Sequence, residues 1–188
     1  MNMKKKIQGQ YIIKHFLTIT RHRHEVIKNC FRCGIGFQGC FHDLSKYSPA
    51  EFLVGVTHYQ GTRSPNEGER EDYGYSKAWM HHKGRNKHHF EYWTDYNPAT
   101  RKISPVKMPY NYVVEMFCDR IAASKIYLGD KYTNDAPYEY YQRGIANRMI
   151  HPDTAAQLDK LLKMLKEQGE EKTFAFVKNT IKKRKRYF

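Results

Sequence analysis

Apolar residues recur at a helical spacing along the first part of the chain. Residues 8–32 carry an apolar stripe that repeats every seven positions, at Ile12, Ile19, Val26 and Cys33. Phe16 and Cys30 lie on the same face. This period predicts a long amphipathic helix. His22 lies on the stripe, and His24 lies on a second apolar line, formed by Ile13, Leu17, Thr20 and Ile27. The periodicity therefore does not choose which of the two histidines points inward.

Helical patterns continue through the rest of the chain. Ser48-Pro49 is typical of a helix cap followed by a first-turn proline. Helical patterns also cover residues 76–93, 110–128 and 153–168. After Gly169, a last helix is predicted through Phe174, Val177 and Ile181. Residues 61–75 and the segment between Pro98 and Pro105 are predicted loops. No strand pair or repeat stands out, so the sequence predicts an all-α fold, a single-domain helical bundle.

The segment 76–93 places histidines among tryptophans. Trp79, His82, Asn86, His89 and Trp93 follow at spacings of three and four, on one face of a helix. Two interpretations stay open, an aromatic core stripe with hydrogen-bonded histidines or a face of metal ligands. If Gly84 breaks the helix, the neighbouring His81 or His88 takes the inward position.

The strongest chemical signal is the dipeptide His42-Asp43, which follows a glycine-rich turn. Imidazole nitrogen and carboxylate oxygen together suit divalent iron, manganese, zinc or nickel. Asp119 lies on an otherwise apolar face of the helix predicted at 110–128, where an aspartate is unusual. The alternatives are structural, because Asp43 can cap a helix and Asp119 can pair with Arg120 or a lysine. These residues predict a metal site when taken together.

Composition narrows the class of protein. The chain has 188 residues, 40% hydrophobic and 14% aromatic, which predicts one folded domain. No run reaches the about eighteen apolar residues of a membrane helix, so we expect a cytoplasmic protein with no membrane contact. The four cysteines are too sparse for a secreted disulfide framework and are expected to be reduced. A structural zinc site formed by Cys30, Cys33, Cys40 and His42 is also considered. The lack of a second well-spaced pair of ligands argues against it.

The net charge of +14 implies an anionic partner. The charge alone does not distinguish between nucleic acid, a phosphorylated metabolite and a membrane surface as this partner. A basic tail at 182–188 contains the run Lys182-Lys183-Arg184-Lys185-Arg186. The first interpretation of this tail is a solvated segment, and the second is a nucleic-acid contact.

In chain order, a helical histidine, His42-Asp43, paired histidines and a late aspartate resemble the HD-domain superfamily of metal-dependent phosphohydrolases. His42-Asp43-Leu44-Ser45-Lys46 looks like its His-Asp-x-x-Lys signature, and Met116-Phe117-Cys118-Asp119-Arg120-Ile121 looks like its terminal aspartate helix. The resemblance covers about residues 11–128, within an HD-like core at 8–128, and leaves helices at 129–181 without a counterpart. The chain also resembles an uncharacterised family of small bacterial and phage proteins.

The resemblance implies a set of site residues. His22, His42, Asp43 and Asp119 would hold one divalent transition metal ion, and Asp43 would bridge to a second ion held by His82 and His89. His24 is the reserve for His22. Asp43 and Lys46 would be catalytic, while Lys83 and Arg85 would contact substrate phosphate. The doubled pairs His81-His82 and His88-His89 depart from the family pattern, which leaves the ligand in each pair open.

The expected function follows from the resemblance. A two-metal member of this superfamily cleaves a phosphate ester with a metal-activated water, and a nucleotide or dinucleotide is the expected substrate. The alternative is a non-catalytic basic protein that binds nucleic acid through its surface and tail, with structural histidines. A metal-dependent oxygenase or redox protein is a third interpretation, because iron occupies similar histidine and carboxylate sites. The oligomeric state is not predicted.

Overall fold

A computed structural model of the chain describes residues 9–185. Those residues form eight α-helices, four short 3-10 helices and one β-hairpin. The prediction of an all-α fold is therefore confirmed, with the hairpin as an addition. The α-helices are α1 (Gly9–Cys33), α2 (Gly36–Gly39), α3 (Pro49–Thr57), α4 (Pro65–Tyr73), α5 (Lys77–Lys83), α6 (Tyr110–Leu128), α7 (Ala136–Gln142) and α8 (Pro152–Lys185). The 3-10 helices are Leu44–Tyr47, Phe90–Tyr92, Gly129–Lys131 and Ile145–Asn147, and the strands are β1 (Thr94–Asn97) and β2 (Lys102–Pro105).

Helix α6 lies at the centre of the apolar core and packs against α1, α7 and α8. It is buried on more than one side because apolar side chains recur all round it, and removal of these side chains from water drives the packing. The main core residues of the three long helices are Val26, Cys30 and Cys33 on α1, Val113, Phe117 and Ile121 on α6, and Leu158, Leu162, Leu165 and Val177 on α8. The first half of the α1 stripe stays outside this core, since Ile12 and Phe16 are exposed.

Three local predictions in the middle of the chain are wrong. The predicted loop at 61–75 contains α4, because Ser64 accepts a hydrogen bond from the N–H of Asn66 and Pro65 starts the first turn. Helix α5 ends at Lys83, so the helix predicted at 76–93 stops at its midpoint. The predicted loop after Pro98 belongs to an antiparallel hairpin that pairs β1 with β2. Each correction comes from local caps and turns that the apolar period does not record.

The C-terminal helices follow the prediction. Helix α8 spans Pro152–Lys185 and is interrupted at Gly169, whose φ of 77° and ψ of 175° are not helical. Glycine adopts this left-handed region without a steric penalty. Residues 182–185 of the predicted basic tail continue α8, and Arg186 lies outside the described residues. Within residues 9–185, no helix is both long and apolar enough to span a membrane.

Candidate metal centre

Helix α1 brings His22 to the site. Its inward stripe buries Ile19 and Val26, and His22 lies on the same face with 7% of its surface exposed. His24 is exposed. The open choice between the two histidines is resolved by this rotation of α1, which places only His22 at the cluster.

The dipeptide His42-Asp43 lies in the turn between α2 and the 3-10 helix Leu44–Tyr47. Asp43 has a left-handed backbone, with φ of 53° and ψ of 25°, which non-glycine residues adopt at some cost. Arg23 of α1 holds this turn, since its guanidinium donates to the carbonyl oxygens of His42 and Cys40. His42 and Asp43 are 1% and 2% exposed, so an imidazole and a carboxylate are fixed side by side in the interior.

A first set of four potential ligands surrounds one oxygen of Asp43. Its members are His22, His42, Asp43 and Asp119, and their ligand atoms lie within 4.8 Å of one another. His42 Nε2 is 3.2 Å from Asp43 Oδ2, and His22 Nε2 is 3.0 Å from Asp119 Oδ1. The four residues that the resemblance assigns to one metal ion are therefore brought together.

A second set gathers at the other oxygen of Asp43. Its members are Asp43, His82, His88 and His89, again with ligand atoms within 4.8 Å of one another. The Nε2 atoms of His82 and His88 lie 3.3 and 3.5 Å from Asp43 Oδ1. Asp43 thus belongs to both sets through different oxygens. His81 lies outside this set, whereas both members of the pair His88-His89 belong to it.

The early end of α5 explains why His88 joins the set. After Lys83 the chain turns, and the Asn86 side-chain amide donates to the carbonyl oxygen of His82 over 2.8 Å. The N–H of His89 then donates to the carbonyl oxygen of Asn86. This turn points His88 inward, 2% exposed, which a continuous helix would not do. Gly84 was the sequence signal for this arrangement.

Two buried glutamates, which the sequence analysis missed, orient the histidines. Glu115 of α6 accepts hydrogen bonds from Nδ1 of His42 over 2.9 Å, and its Oε1 also lies 3.2 Å from Nδ1 of His88. Glu51 of α3 accepts from Nδ1 of His82 over 2.7 Å. A neutral imidazole that donates from Nδ1 carries its lone pair on Nε2, and metal-bound histidines commonly have such a carboxylate partner. The glutamates therefore aim Nε2 of three histidines at Asp43.

The electrostatics of the cluster divide the histidines into two kinds. Burial opposes protonation of His42 and His82, but the charge of Asp43 outweighs it and raises the pKa of both. Burial, with the positive charge of Lys46, lowers the pKa of His22. Burial and the charges of His88 and His82 lower the pKa of His89 well below 6.5. Without a cation, the cluster holds protons on some imidazoles and excludes them from others.

The carboxylates stay ionised despite their burial. Burial alone would raise the pKa of Asp43, but the charges of His42, Lys46 and His82 lower it well below 3.8. Hydrogen bonds from His42 and His88 likewise overcome burial and lower the pKa of Glu115 to about 2. The site is a buried set of anions that needs positive charge nearby.

The pairing of polar atoms tests whether a metal fits. Several buried ring nitrogens have no hydrogen bond of normal geometry among the described residues: Nε2 of His22, His42, His88 and His89. Asp43 Oδ1 is also without such a bond. Buried polar atoms are almost always paired, so this concentration of unpaired ring nitrogens around one carboxylate is exceptional. Nitrogen and oxygen donors in this number fit divalent iron, manganese, zinc or nickel. These buried groups can hold a metal ion.

The predicted phosphate contacts lie in different places. Lys46 is part of the cluster, with Nζ 2.7 Å from Asp43 Oδ2 and its side chain 29% exposed. Arg85 is exposed and donates to the carbonyl oxygen of His81. Lys83 is half-buried and acts electrostatically on Glu91. Substrate contacts by Lys83 and Arg85 stay predictions.

The cysteines form a separate cluster. Cys30, Cys33 and Cys118 are buried in the apolar core, while Cys40 is half-buried and His42 faces the histidine cluster. Among the described residues, no group of three or more potential ligands includes a cysteine. The zinc site considered from the sequence is therefore not assembled.

Comparison with known proteins gives one match. A family model described as "Family of unknown function (DUF5662)" matches residues 11–164, a span that contains both ligand sets and the oriented histidines. No curated protein and no solved structure matches the chain.

Proposed function

Because this chain belongs to the family of unknown function DUF5662, we propose its function from the site itself: a metal-dependent phosphohydrolase of the HD-domain type. The proposal includes two divalent ions, iron, manganese, zinc or nickel, and a nucleotide or dinucleotide phosphate ester as substrate. The observation that carries it is the position of Asp43, whose two oxygens belong to two different ligand sets.

The proposed ligands divide between the two sets. His22, His42, Asp43 and Asp119 would hold one ion, and Asp43 with His82, His88 and His89 would hold the other. Divalent ions bound there would lower the pKa of a water molecule and polarise phosphoryl oxygens, the chemistry that phosphate-ester hydrolysis requires.

The side chains around the ligands have supporting roles in this proposal. Glu115 and Glu51 keep the Nδ1 protons of His42 and His82, so that their Nε2 atoms stay available. Lys46 is already held at Asp43 Oδ2, and its partly exposed side chain supplies a positive charge beside the site. An ammonium at this position neutralises charge on a phosphate oxygen without fixing its orientation.

The decisive experiment is elemental analysis by mass spectrometry of the purified full chain beside Asp43→Asn and Asp43→Ala variants. Asparagine tolerates the left-handed backbone of Asp43, so Asp43→Asn removes the charge with little strain. We expect about two transition-metal ions per chain in the wild type and loss of most of this metal in both variants. Asp153→Ala is the matched control, because Asp153 is an exposed aspartate paired with Lys107.

Activity then tests the reaction class. We expect the metal-loaded chain to hydrolyse p-nitrophenyl phosphate, its bis ester or diadenosine tetraphosphate, with loss of activity in EDTA and recovery on addition of Mn²⁺. A wild-type chain that binds no iron, manganese, zinc or nickel after reconstitution would overturn the proposal. Salt-sensitive binding of nucleic acid in that case would favour the non-catalytic alternative, to which the net charge of +14 points.

A further inference from the structure

A second group of charged side chains, partly buried, lies beside the ligands in the chain. Arg120 follows the ligand Asp119, Lys83 follows the ligand His82, and Glu91 comes two residues after His89. Arg148 joins them from the C-terminal third, just after the 3-10 helix Ile145–Asn147. We call Lys83, Arg120 and Arg148 the cationic cluster.

The two arginines share one aromatic neighbour. Their guanidinium carbons lie 5.5 Å (Arg120) and 5.2 Å (Arg148) from the centre of the Tyr141 ring, and this tyrosine is fully buried. Arg148 also donates to the carbonyl oxygen of Tyr141 over 3.0 Å. Tyr141 on α7 therefore lies against two guanidiniums, one from α6 and one from the turn after α7, and the positive charge of Arg148 acts on Arg120.

The cationic cluster has few acceptors, and within residues 9–185 none of those bonded to Arg120 or Arg148 is a carboxylate. Arg120 Nε is buried with no hydrogen-bond partner among the described residues, and no ion pair with a carboxylate is formed there by Arg120 or Arg148. Buried guanidinium groups normally have such partners, because a guanidinium carries five donors and its desolvation is costly. Arg120 Nε is therefore an unused donor at a position that water does not reach.

Glu91 does not complete the cluster. Arg120, Lys83 and Arg148 all act electrostatically on Glu91, yet its Oε2 is buried and has no hydrogen-bond partner in the described part of the chain. These three cations act on one carboxylate without a hydrogen bond to its Oε2. The missing component is a group with several acceptor oxygens and a charge of more than one, and phosphate is the biological group that fits.

We infer that the cationic cluster binds a second phosphate group of the substrate, so that the substrate carries two or more linked phosphates. The choice of substrate rests on the proposed function, because the first phosphate would lie at the metal ligands. The inference also connects the C-terminal third to the reaction, since α7 and Arg148 supply part of the substrate site.

Calorimetric titration of the metal-free full chain with pyrophosphate and with inorganic phosphate tests the inference. Metal-free protein avoids chelation of the ions by pyrophosphate. Because the metal-free ligand carboxylates attract no phosphate, this titration addresses the cationic cluster alone. We expect both anions to bind there, and Arg148→Ala to weaken pyrophosphate binding by about tenfold or more, as loss of a charged hydrogen bond does. Arg143→Ala is the matched control, because Arg143 is an exposed arginine at the end of α7.

Two further measurements, the thermal midpoint of the metal-free variants and the metal content of the chain as purified, separate the possible failures. If Arg148→Ala lowers the thermal midpoint but binds pyrophosphate as Arg143→Ala does, the arginine is structural and the inference is overturned. Normal metal content in that experiment leaves the proposed function standing. If the wild-type chain binds no metal but Arg148→Ala weakens pyrophosphate binding, the anion site is present without the proposed hydrolase.

Discussion

Cys118 and Asp119 are neighbours on α6, yet they belong to two regions with opposite chemistry. Cys118 faces the thiol cluster, where its Sγ lies 3.6 Å from Sγ of Cys33 and where Cys30 is also buried. Asp119 faces the histidine cluster. Cysteine, histidine and aspartate all bind metals, so residue type alone does not distinguish the two regions.

The difference lies in what each region leaves unpaired. Burial, with the neighbouring thiols, raises the pKa of Cys118 well above 9.0, so Cys118 stays a neutral thiol that packs like a small apolar side chain. The histidine cluster instead has ionised Asp43 and Asp119 beside ring nitrogens that make no hydrogen bond of normal geometry among the described residues. Desolvated charge and unused lone pairs, more than the presence of ligand residue types, indicate a binding site.

The largest effect within this comparison is expected for Glu115→Ala. Glu115 orients both His42 and His88, and loss of such a partner of metal-bound histidines typically weakens metal affinity by about 10-fold to 100-fold. A competition titration with a fluorescent chelator measures this change. Glu170→Ala removes a carboxylate that pairs with Arg32 and Lys125 on the apolar side of α6, and metal affinity should stay at the wild-type value.

Equal losses of metal affinity in Glu115→Ala and Glu170→Ala would contradict the comparison. That result would mean that any buried carboxylate supports the site through general stability. The variant Glu115→Gln sharpens the test, because its side-chain carbonyl still accepts a hydrogen bond from one imidazole. We expect Glu115→Gln to retain more metal than Glu115→Ala.

The stability of the metal-free chain is expected to peak near pH 6.5, the ordinary pKa of histidine. His42 and His82 have raised pKa values, so the stability they contribute is complete below pH 6.5 and is lost as the pH rises through their folded pKa. His22 and His89 have lowered pKa values, so stability falls as the pH drops below 6.5 and the unfolded chain gains protons.

Thermal unfolding between pH 5 and pH 9 measures this profile, with EDTA-treated and Mn²⁺-loaded protein side by side. A tenfold difference between the acidity constants of a group in the folded and unfolded chain corresponds to about 1.4 kcal/mol. Bound metal replaces the protons on the ligands, so the loaded protein should gain stability relative to the metal-free protein as the pH rises. Parallel curves for the two samples would show that the ion and the protons do not compete for the same nitrogens.

Much of the fold was predictable because its long helices have unambiguous limits. The predicted helix at 110–128 is α6, and the predicted break at Gly169 is present in α8. Both depend on local signals, a sustained apolar pattern and a glycine in a left-handed conformation. The hairpin was missed because its two four-residue strands are largely exposed and carry no alternating apolar pattern.

The site was predictable only in part, because the sequence does not record orientation. His22 and His24 lie on equally apolar lines, and the packing of α1 against α6 decides between them. His88 was only an alternative ligand because the predicted helix ran through Gly84. Glu115 lies one turn before Asp119 on α6, which is the signal that could have found it, but a glutamate on a helix is usually solvated.

The smallest effect is expected for Cys33→Ala, which tests the other side of the comparison. Cys33 and His22 lie on the same helix, both buried, but Cys33 faces the thiol cluster and His22 the first ligand set. Removal of the Cys33 sulfur should lower the free energy of unfolding by about 1 kcal/mol, as a small core truncation does, and leave metal content unchanged. His22→Ala is the matched variant and should lower metal content. Elemental analysis and urea unfolding of both variants measure the two effects; if Cys33→Ala lost as much metal as His22→Ala, the thiols would belong to the site, and unpaired donors would not be what separates the two regions.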